Sequence, residues 1–407
     1  MKRFAPILLG ILTSTGGFLD AGSITTSAAA GSRFGFGLVW ALVIGTIAVM
    51  LLVEMSGRLS AVSGKAYAEA IRERFGFRFY LLPLTADVLS NGLLLGAELG
   101  GIAVGLSLIT GIAWHLMVPV AVVLVFVLLW RGPFGLIEQA PSLLGLVTLS
   151  FVIAVPFAWN PGPGLVETLW HPAVASDRTV EYLFLAAAIL GATVSPYLVY
   201  FYSSGGREEH WTDRSLGANR VTAVVGLGFG SVSALGLMLL AALVLRPRGI
   251  QGQTLSELGI GLAVPFGQVG GLLFGLALFA TCLGAALEVA LAVAYDVSQG
   301  FGWQWGQEHL PVHAARFNTV LIAYVAIGTV GLLLAGDPLS LALVASAILA
   351  LILPFALAPF LVLMNDADYV QDRQNGLLAN AATVGVLAVA FIVAVASLPL
   401  LLLSGGG

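Results

Sequence analysis

Apolar runs of about 20 residues or more, separated by short polar stretches, follow one another along the whole chain. That length lets an α-helix cross the hydrocarbon core of a bilayer; transmembrane strands would show segments of about ten residues in strict alternation. The pattern predicts eleven helical spans, at 5–30, 34–57, 80–111, 113–130, 135–158, 180–205, 217–245, 267–299, 317–335, 338–364 and 377–403. The first follows Met1-Lys2-Arg3 and continues through Asp20 to Gly31 with no clear cleavage site after its apolar centre, so it reads as a span and not a leader. The connection from Asn160 to Thr179 carries Pro161, Gly162, Pro163 and Gly164, and it divides the first ten spans into five and five. No interval between spans is long enough for a soluble domain, so residues 1–407 read as one transmembrane domain.

Composition agrees with this pattern. Of 407 residues, 59% are hydrophobic and 9% charged, against about a quarter charged in an ordinary soluble domain. So few charges cannot wet the surface of a soluble protein of this size. The net charge of −4 offers no basic excess for nucleic acid. The single cysteine, Cys282, excludes an intrachain disulfide and a cysteine-based zinc site, and its apolar run makes it a packing residue. With the alternating spans laid out, Arg33, Arg178, Arg246 and Arg248 fall on one side and the rest of the 17 basic residues on the other. Basic residues collect on the cytoplasmic side, which places the N-terminus inside and the C-terminus outside. The short loops and termini point to a bacterial inner membrane.

An ionisable side chain in hydrocarbon costs from about 2.5 kcal/mol upward, so each one inside a span is a functional candidate. Asp20, Glu98, Glu288 and Asp296 fall deep, whereas Asp87 and Glu138 lie nearer span ends. Glu54 stands one turn from Arg58 and is expected to form an interfacial ion pair. Asp20 sits mid-span in Gly16-Gly17-Phe18-Leu19-Asp20-Ala21-Gly22-Ser23, ahead of Thr25, Thr26 and Ser27. Glycine and small hydroxyl residues weaken a helix and satisfy freed backbone groups, so a span can unwind there around an ion. The competing reading is a buried carboxylate hydrogen-bonded for packing. The sixth span is interrupted at Gly191-Ala192-Thr193-Val194-Ser195-Pro196-Tyr197, where Pro196 removes a donor and clashes with the Ala192 carbonyl. Alone, Pro196 is a plain kink. Its weight comes from position, because paired interruptions at corresponding places in two halves mark a transporter site. Gly226, Gly228 and Gly230 lie in an apolar helix and read as close packing. The histidines fall at loops or span ends, and no nucleophile–base constellation is visible, so no enzyme and no cofactor are expected.

These motifs resemble the Nramp divalent-metal transporters over nearly the whole chain. Phe18-Leu19-Asp20-Ala21-Gly22-Ser23 stands where that family has Asp-Pro-Gly-Asn, followed by Gly31-Ser32-Arg33-Phe34-Gly35-Phe36 and Trp40. Gly191-Ala192-Thr193-Val194-Ser195-Pro196 stands where Gly-Ala-Thr-Val-Met-Pro-His is usual. Weaker echoes are Ala97-Glu98, Phe274-Gly275-Leu276-Ala277-Leu278 and Leu353-Pro354-Phe355-Ala356-Leu357. The resemblance implies an all-α leucine-transporter-type fold. It would have two inverted five-helix repeats, approximately 5–158 and 180–364, plus an eleventh helix at 377–403. It also implies an ion site built from the Asp20 carboxylate, the Ser23 side chain, the Ala192 carbonyl and the Ser195 side chain, with breaks at Gly22 and Pro196.

Several positions depart from the family. Its asparagine is Ser23, its methionine Ser195, its two sixth-helix histidines Tyr197 and Tyr202, its third-helix aspartate Leu95, and a tenth-helix glutamine Ser346. Replacing a soft thioether by Ser195 leaves only oxygen donors, which suit hard cations, and a smaller residue leaves room for the water that Mg²⁺ sheds reluctantly. This matches a divergent branch, the Nramp-related magnesium transporters. The expected cargo is Mg²⁺ first and Mn²⁺ second. Tyrosine has an ordinary pKa of about 10 and rarely yields a proton at neutral pH, so coupling to protons is expected to be weak or absent, although Glu98 keeps a proton route open. Glu288 has no recognised family counterpart and is a candidate for the ion path or a proton site. Asp296, about two turns further inward, is expected to line the exit or cap a loop. The alternatives are a proton-coupled Mn²⁺ or transition-metal symporter, a secondary transporter of a small organic solute, and a non-transporting membrane receptor. The only partners expected are a divalent metal ion and the bilayer, with no obligate protein partner.

Overall fold

The structure is a computed structural model and describes residues 19–131, 143–171, 174, 176–307 and 313–403. Glu138 and the stretch before Leu19, including Gly16, Gly17 and Phe18, lie outside the described residues. No strand occurs among the described residues. The helices in chain order are α1 (Ala21–Phe34), α2 (Val39–Ser63), α3 (Tyr67–Phe75), α4 (Phe77–Thr110), α5 (Trp114–Arg131) and α6 (Leu143–Ala158). After the long connection come α7 (Thr179–Thr193), α8 (Pro196–Glu208), α9 (Asp213–Arg248), α10 (Leu255–Phe266) and α11 (Gln268–Phe301). The last four are α12 (Ala315–Ala335), α13 (Pro338–Leu363), α14 (Ala367–Val370) and α15 (Leu377–Leu403).

Every predicted span meets a helix, the first and fifth only where they are described. The boundaries move for identifiable reasons. The second helix was expected to end at 57, before Arg58, but it continues to Ser63 and stops at left-handed Gly64 (φ 67°). Arg58 stays in the helix because its charge is satisfied sideways. It pairs with Glu54 at 3.2 Å, as expected, and donates to the Arg373 carbonyl and Asn375 Oδ1, both at 2.7 Å. The first helix runs to Phe34 and turns at Gly35 (φ 61°), so the second begins at Val39 and not at 34. Three short helices, α3, α10 and α14, were not foreseen from the apolar pattern.

The core is built on α4 and α11, each 34 residues long, packed along one another. α13 bridges α4 and α7, while α12 covers the outer flank of α4. α1 packs on α7, α9 and α13, which brings the first and sixth spans together at the centre. At one end, the connection before α7 folds over the α1–α2 turn. The Phe36 amide donates to Thr168 Oγ1 at 3.0 Å, Tyr182 donates to the Gly37 carbonyl at 2.8 Å, and Glu181 pairs with Arg33 and Arg178. At the other end, α8 is tied to the end of α11 by Gln299 donating to Ser204 Oγ at 2.9 Å and Tyr295 donating to Glu208 Oε1 at 3.2 Å.

Candidate functional site

At the first expected interruption the described residues begin with Leu19–Asp20 and α1 opens at Ala21, so Gly22, expected as a break, lies inside the helix. Asp20 is extended (φ −120°, ψ 177°) and caps α1, its Oδ1 accepting from the Ser23 amide at 2.5 Å. Capping by aspartate satisfies one of the donors that every helix start leaves unpaired. The Ala21 amide, another of these, donates to both Glu98 oxygens, at 3.0 and 3.1 Å. The positive end of the α1 dipole therefore faces two carboxylates, one from its own chain segment and one from α4. Thr25 returns its hydroxyl to the Ala21 carbonyl at 2.8 Å and the Gly22 carbonyl at 3.0 Å.

The second interruption separates α7 from α8. Val194 (φ −110°, ψ 49°) and Ser195 (φ −66°, ψ 127°) leave the helix, and Pro196 opens α8 at a position where a missing N–H costs nothing. Pro196 also denies the Ala192 carbonyl its usual donor four residues on. The Ser195 hydroxyl takes that place, donating to Ala192 O at 3.1 Å and Gly191 O at 3.2 Å. With its one proton spent there, the Ser195 oxygen keeps lone pairs for another partner.

The start of α1 and this interruption meet at Ser346 of α13. A Cβ built on Gly22 would strike Ser346 Oγ and stand 3.3 Å from Asp20 Oδ1 and 3.4 Å from the Ala192 Cβ. A Cβ on Gly191 would strike the Ser346 carbonyl and reach 2.7 Å from the Ala350 amide. Glycine at these two positions is what lets α1 and α7 approach α13 so closely. The centre is closed to solvent, with Asp20 1%, Ser195 2% and Ser346 0% exposed. Within it, Asp20 Oδ2 and Ser23 Oγ are buried with no hydrogen-bond partner among the described residues.

The structure brings most of the sequence candidates together. The Tyr197 hydroxyl lies within electrostatic reach of Asp20, Glu288 and Glu98. Cys282, read as a packing residue, is packed but also turns its thiol to the Glu98 carboxylate. The Tyr202 ring packs edge-on to Trp211 at 5.3 Å. Asp296 neither caps a loop nor lines an opening. It is fully buried, lies close to the Asp87 carboxyl, and receives the Tyr80 hydroxyl. The sequence reading placed Asp87 near a span end and missed this pairing, although Tyr80, Asp87 and Asn91 share one face of α4 by their spacing.

An interrupted sixth span meeting the start of α1 at a buried polar centre, inside a bundle of long apolar helices, is the arrangement of a multi-pass membrane protein with a central site between helix ends. The chain is similar to the Eremococcus coleocola manganese transporter in complex with an aromatic bis-isothiourea substituted compound, at 21% identity and TM-score 0.75, over 95% of this chain and 85% of that one. It is also similar to Mhp1, a nucleobase-cation-symport-1 family transporter in a closed conformation, at 15% identity and TM-score 0.61, over 96% and 91%. A third similar structure is MhsT in complex with L-phenylalanine, at 17% identity and TM-score 0.58, over 97% and 98%. These likenesses establish the leucine-transporter-type fold. The family model described as natural resistance-associated macrophage protein-like matches residues 10–400, and the chain belongs to the Nramp family.

Proposed function

We propose that this protein carries hard divalent cations across the membrane by alternating access, Mg²⁺ first and Mn²⁺ second, with weak or no coupling to protons. The observation that carries the reading is the pair of buried oxygens at the start of α1, Asp20 Oδ2 and Ser23 Oγ, that no described residue outside this turn engages. A buried carboxylate oxygen without an outside donor is costly, and a cation satisfies it. With the Ala192 carbonyl and the Ser195 hydroxyl proposed to complete the site, the ligand set is oxygen alone. Such a set favours Mg²⁺, Mn²⁺ or Ca²⁺ over softer metals. The similar Eremococcus coleocola protein is a manganese transporter, which supports a divalent metal as cargo.

The uncoupled part of the reading rests on the residues around the site. Tyr197 stands in place of an imidazole, and Glu98 is engaged as a cap on the Ala21 amide. In this reading the repeats run approximately 5–158 and 180–364, with 377–403 added. The N-terminus faces the cytoplasm, the C-terminus lies outside, and the membrane is a bacterial inner membrane.

Uptake of Mg²⁺, Mn²⁺ and Ca²⁺ into proteoliposomes, with internal pH recorded, tests this directly. Mg²⁺ entry without matching acidification is expected. Absence of flux for every divalent cation overturns the transport reading, and acidification in step with metal entry overturns the uncoupled one.

A further inference from the structure

A second buried polar cluster lies between α4 and α11, displaced from Asp20 toward the end of the molecule that carries Arg72 and Arg74. Asp87 is eleven residues before Glu98 on α4, about 16 Å along the helix at 1.5 Å per residue. Asp296 is eight residues beyond Glu288 on α11, about 12 Å in the same direction. The carboxyls of Asp87 and Asp296 lie close together with no donor between them, and both residues are 0% exposed. Each has one oxygen satisfied. Asn91 Nδ2 donates to Asp87 Oδ1 at 2.8 Å, and the Tyr80 hydroxyl donates to Asp296 Oδ1.

The other oxygens have no partner among the described residues. These are Asp87 Oδ2, Asp296 Oδ2 and Asn91 Oδ1. The Tyr200 hydroxyl, also buried and unpartnered, is within electrostatic reach of both aspartates. Tyr67, Tyr80 and Tyr324 are the other titratable groups within electrostatic reach of the pair, the hydroxyls of Tyr67 and Tyr324 donating to the Ala356 and Val88 carbonyls, and no basic side chain among the described residues pairs with it.

One shared proton accounts for part of this arrangement. It would bridge the two carboxyls, but it would leave a negative charge buried without a counter-ion and leave Asn91 Oδ1 and Tyr200 without partners. Uncompensated buried charge is among the most costly features of a protein interior. A divalent cation accounts for all of it, balancing two carboxylates and accepting the amide and phenol oxygens as ligands.

We propose that Asp87, Asp296 and Asn91 form a second cation site, separate from the one at Asp20, that takes a hard divalent ion through oxygen donors only. Its charge, donor type and burial match those expected for Mg²⁺ or Mn²⁺. The site stands whether or not the transport reading at Asp20 holds.

Mn²⁺ binding to the purified full-length protein, counted by electron paramagnetic resonance of the free ion, tests the proposal. The parent is expected to bind two equivalents. Asp20→Ala is expected to keep one, and the Asp87→Asn, Asp296→Asn double variant is expected to lose one. The same number of equivalents in the double variant as in the parent, or no equivalent in Asp20→Ala, overturns the proposal; a single parent equivalent that the double variant loses overturns only the reading at Asp20. Should the double variant fail to give a monodisperse protein, Asn91→Leu removes one ligand without altering charge. It is expected to weaken the second equivalent at least fivefold, and unchanged binding overturns the assignment.

Discussion

Glu98 holds the amide of Ala21 with both oxygens of its carboxylate, at 3.0 and 3.1 Å. A residue of α4 therefore fixes where α1 begins. Glu98→Gln keeps one acceptor but replaces the other with an amide donor turned toward the Ala21 N–H, a loss of about 1 kcal/mol. The expected outcome is a lower thermal midpoint together with slower Mg²⁺ uptake. Equal stability and uptake in the variant would show that the contact is incidental.

Asp20 both caps α1 and supplies an oxygen that nothing else engages. Asparagine caps a helix about as well as aspartate, whereas alanine costs about 1 kcal/mol. Asp20→Asn is therefore expected to fold with near-parental stability and carry no divalent cation, and Asp20→Ala is expected to lose both. Thermal melts and vesicle uptake on the two variants separate the roles. Transport by Asp20→Asn would remove the carboxylate from the ion site.

Ser195 is placed to choose the metal. Ser195→Met restores a thioether among the oxygen donors and is expected to shift uptake from Mg²⁺ toward Cd²⁺ and Mn²⁺. Competition between Cd²⁺ and Mg²⁺ measures the shift, and an unchanged ratio would mean that residue 195 does not touch the ion.

Gly22 and Gly191 both abut Ser346, but through different atoms. At Gly22 the obstruction is the Ser346 hydroxyl, and at Gly191 it is the Ser346 carbonyl. Either glycine changed to alanine is expected to cost about 1–3 kcal/mol through overpacking. Adding Ser346→Ala should recover much of the loss for Gly22→Ala and none for Gly191→Ala, because a side-chain change cannot move a backbone carbonyl out of the way. Thermal midpoints of the four variants decide it, and equal recovery in both pairs would contradict the packing described.

Outside the membrane, Asp366 accepts from the Asp368 amide at 3.0 Å and pairs with Arg74 at 2.8 Å. The amide first, and then Arg74, hold its carboxyl below the usual carboxylate range. A depressed folded pKa contributes stability above the unfolded value of about 4, and that contribution is lost as pH falls through the folded value. Asp366→Ala is expected to lower the thermal midpoint modestly at pH 7, because its partner Arg74 is exposed and the pair is screened by solvent. The gap to the parent should narrow below about pH 4. A gap that stays constant with pH would assign the effect to packing.

The spans, the helix start at Asp20 and the interruption at Pro196 were legible because they rest on local chemistry. Asp20 among small residues caps a helix, and Pro196 breaks one by removing a donor. The convergence of Ser346 on the helix start and the break was legible only as a family position, since the contact depends on how closely α13 approaches. The Asp87–Asp296 pair was not legible, because each aspartate is unremarkable alone and only the packing of α4 on α11 joins them. The place of Tyr202 in the motif points to the ion path, and what the structure adds is the packing of its ring edge-on to Trp211.

The split at Val194–Ser195 has a mechanical consequence. α7 is packed against α13 and α15, while α8 is packed against α2 and α11. The halves of the sixth span thus ride largely on different parts of the bundle, although α2 touches both, and the helical ladder that still reaches Val194, whose amide donates to the Leu190 carbonyl at 2.9 Å, lapses beyond it. Any relative displacement of those parts pivots at this joint. The Ala192 carbonyl moves with one half, and the Ser195 side chain sits on the pivot itself. A cation held between them would register the displacement as a change in its own coordination, so opening the bundle and loosening the ion would be a single event.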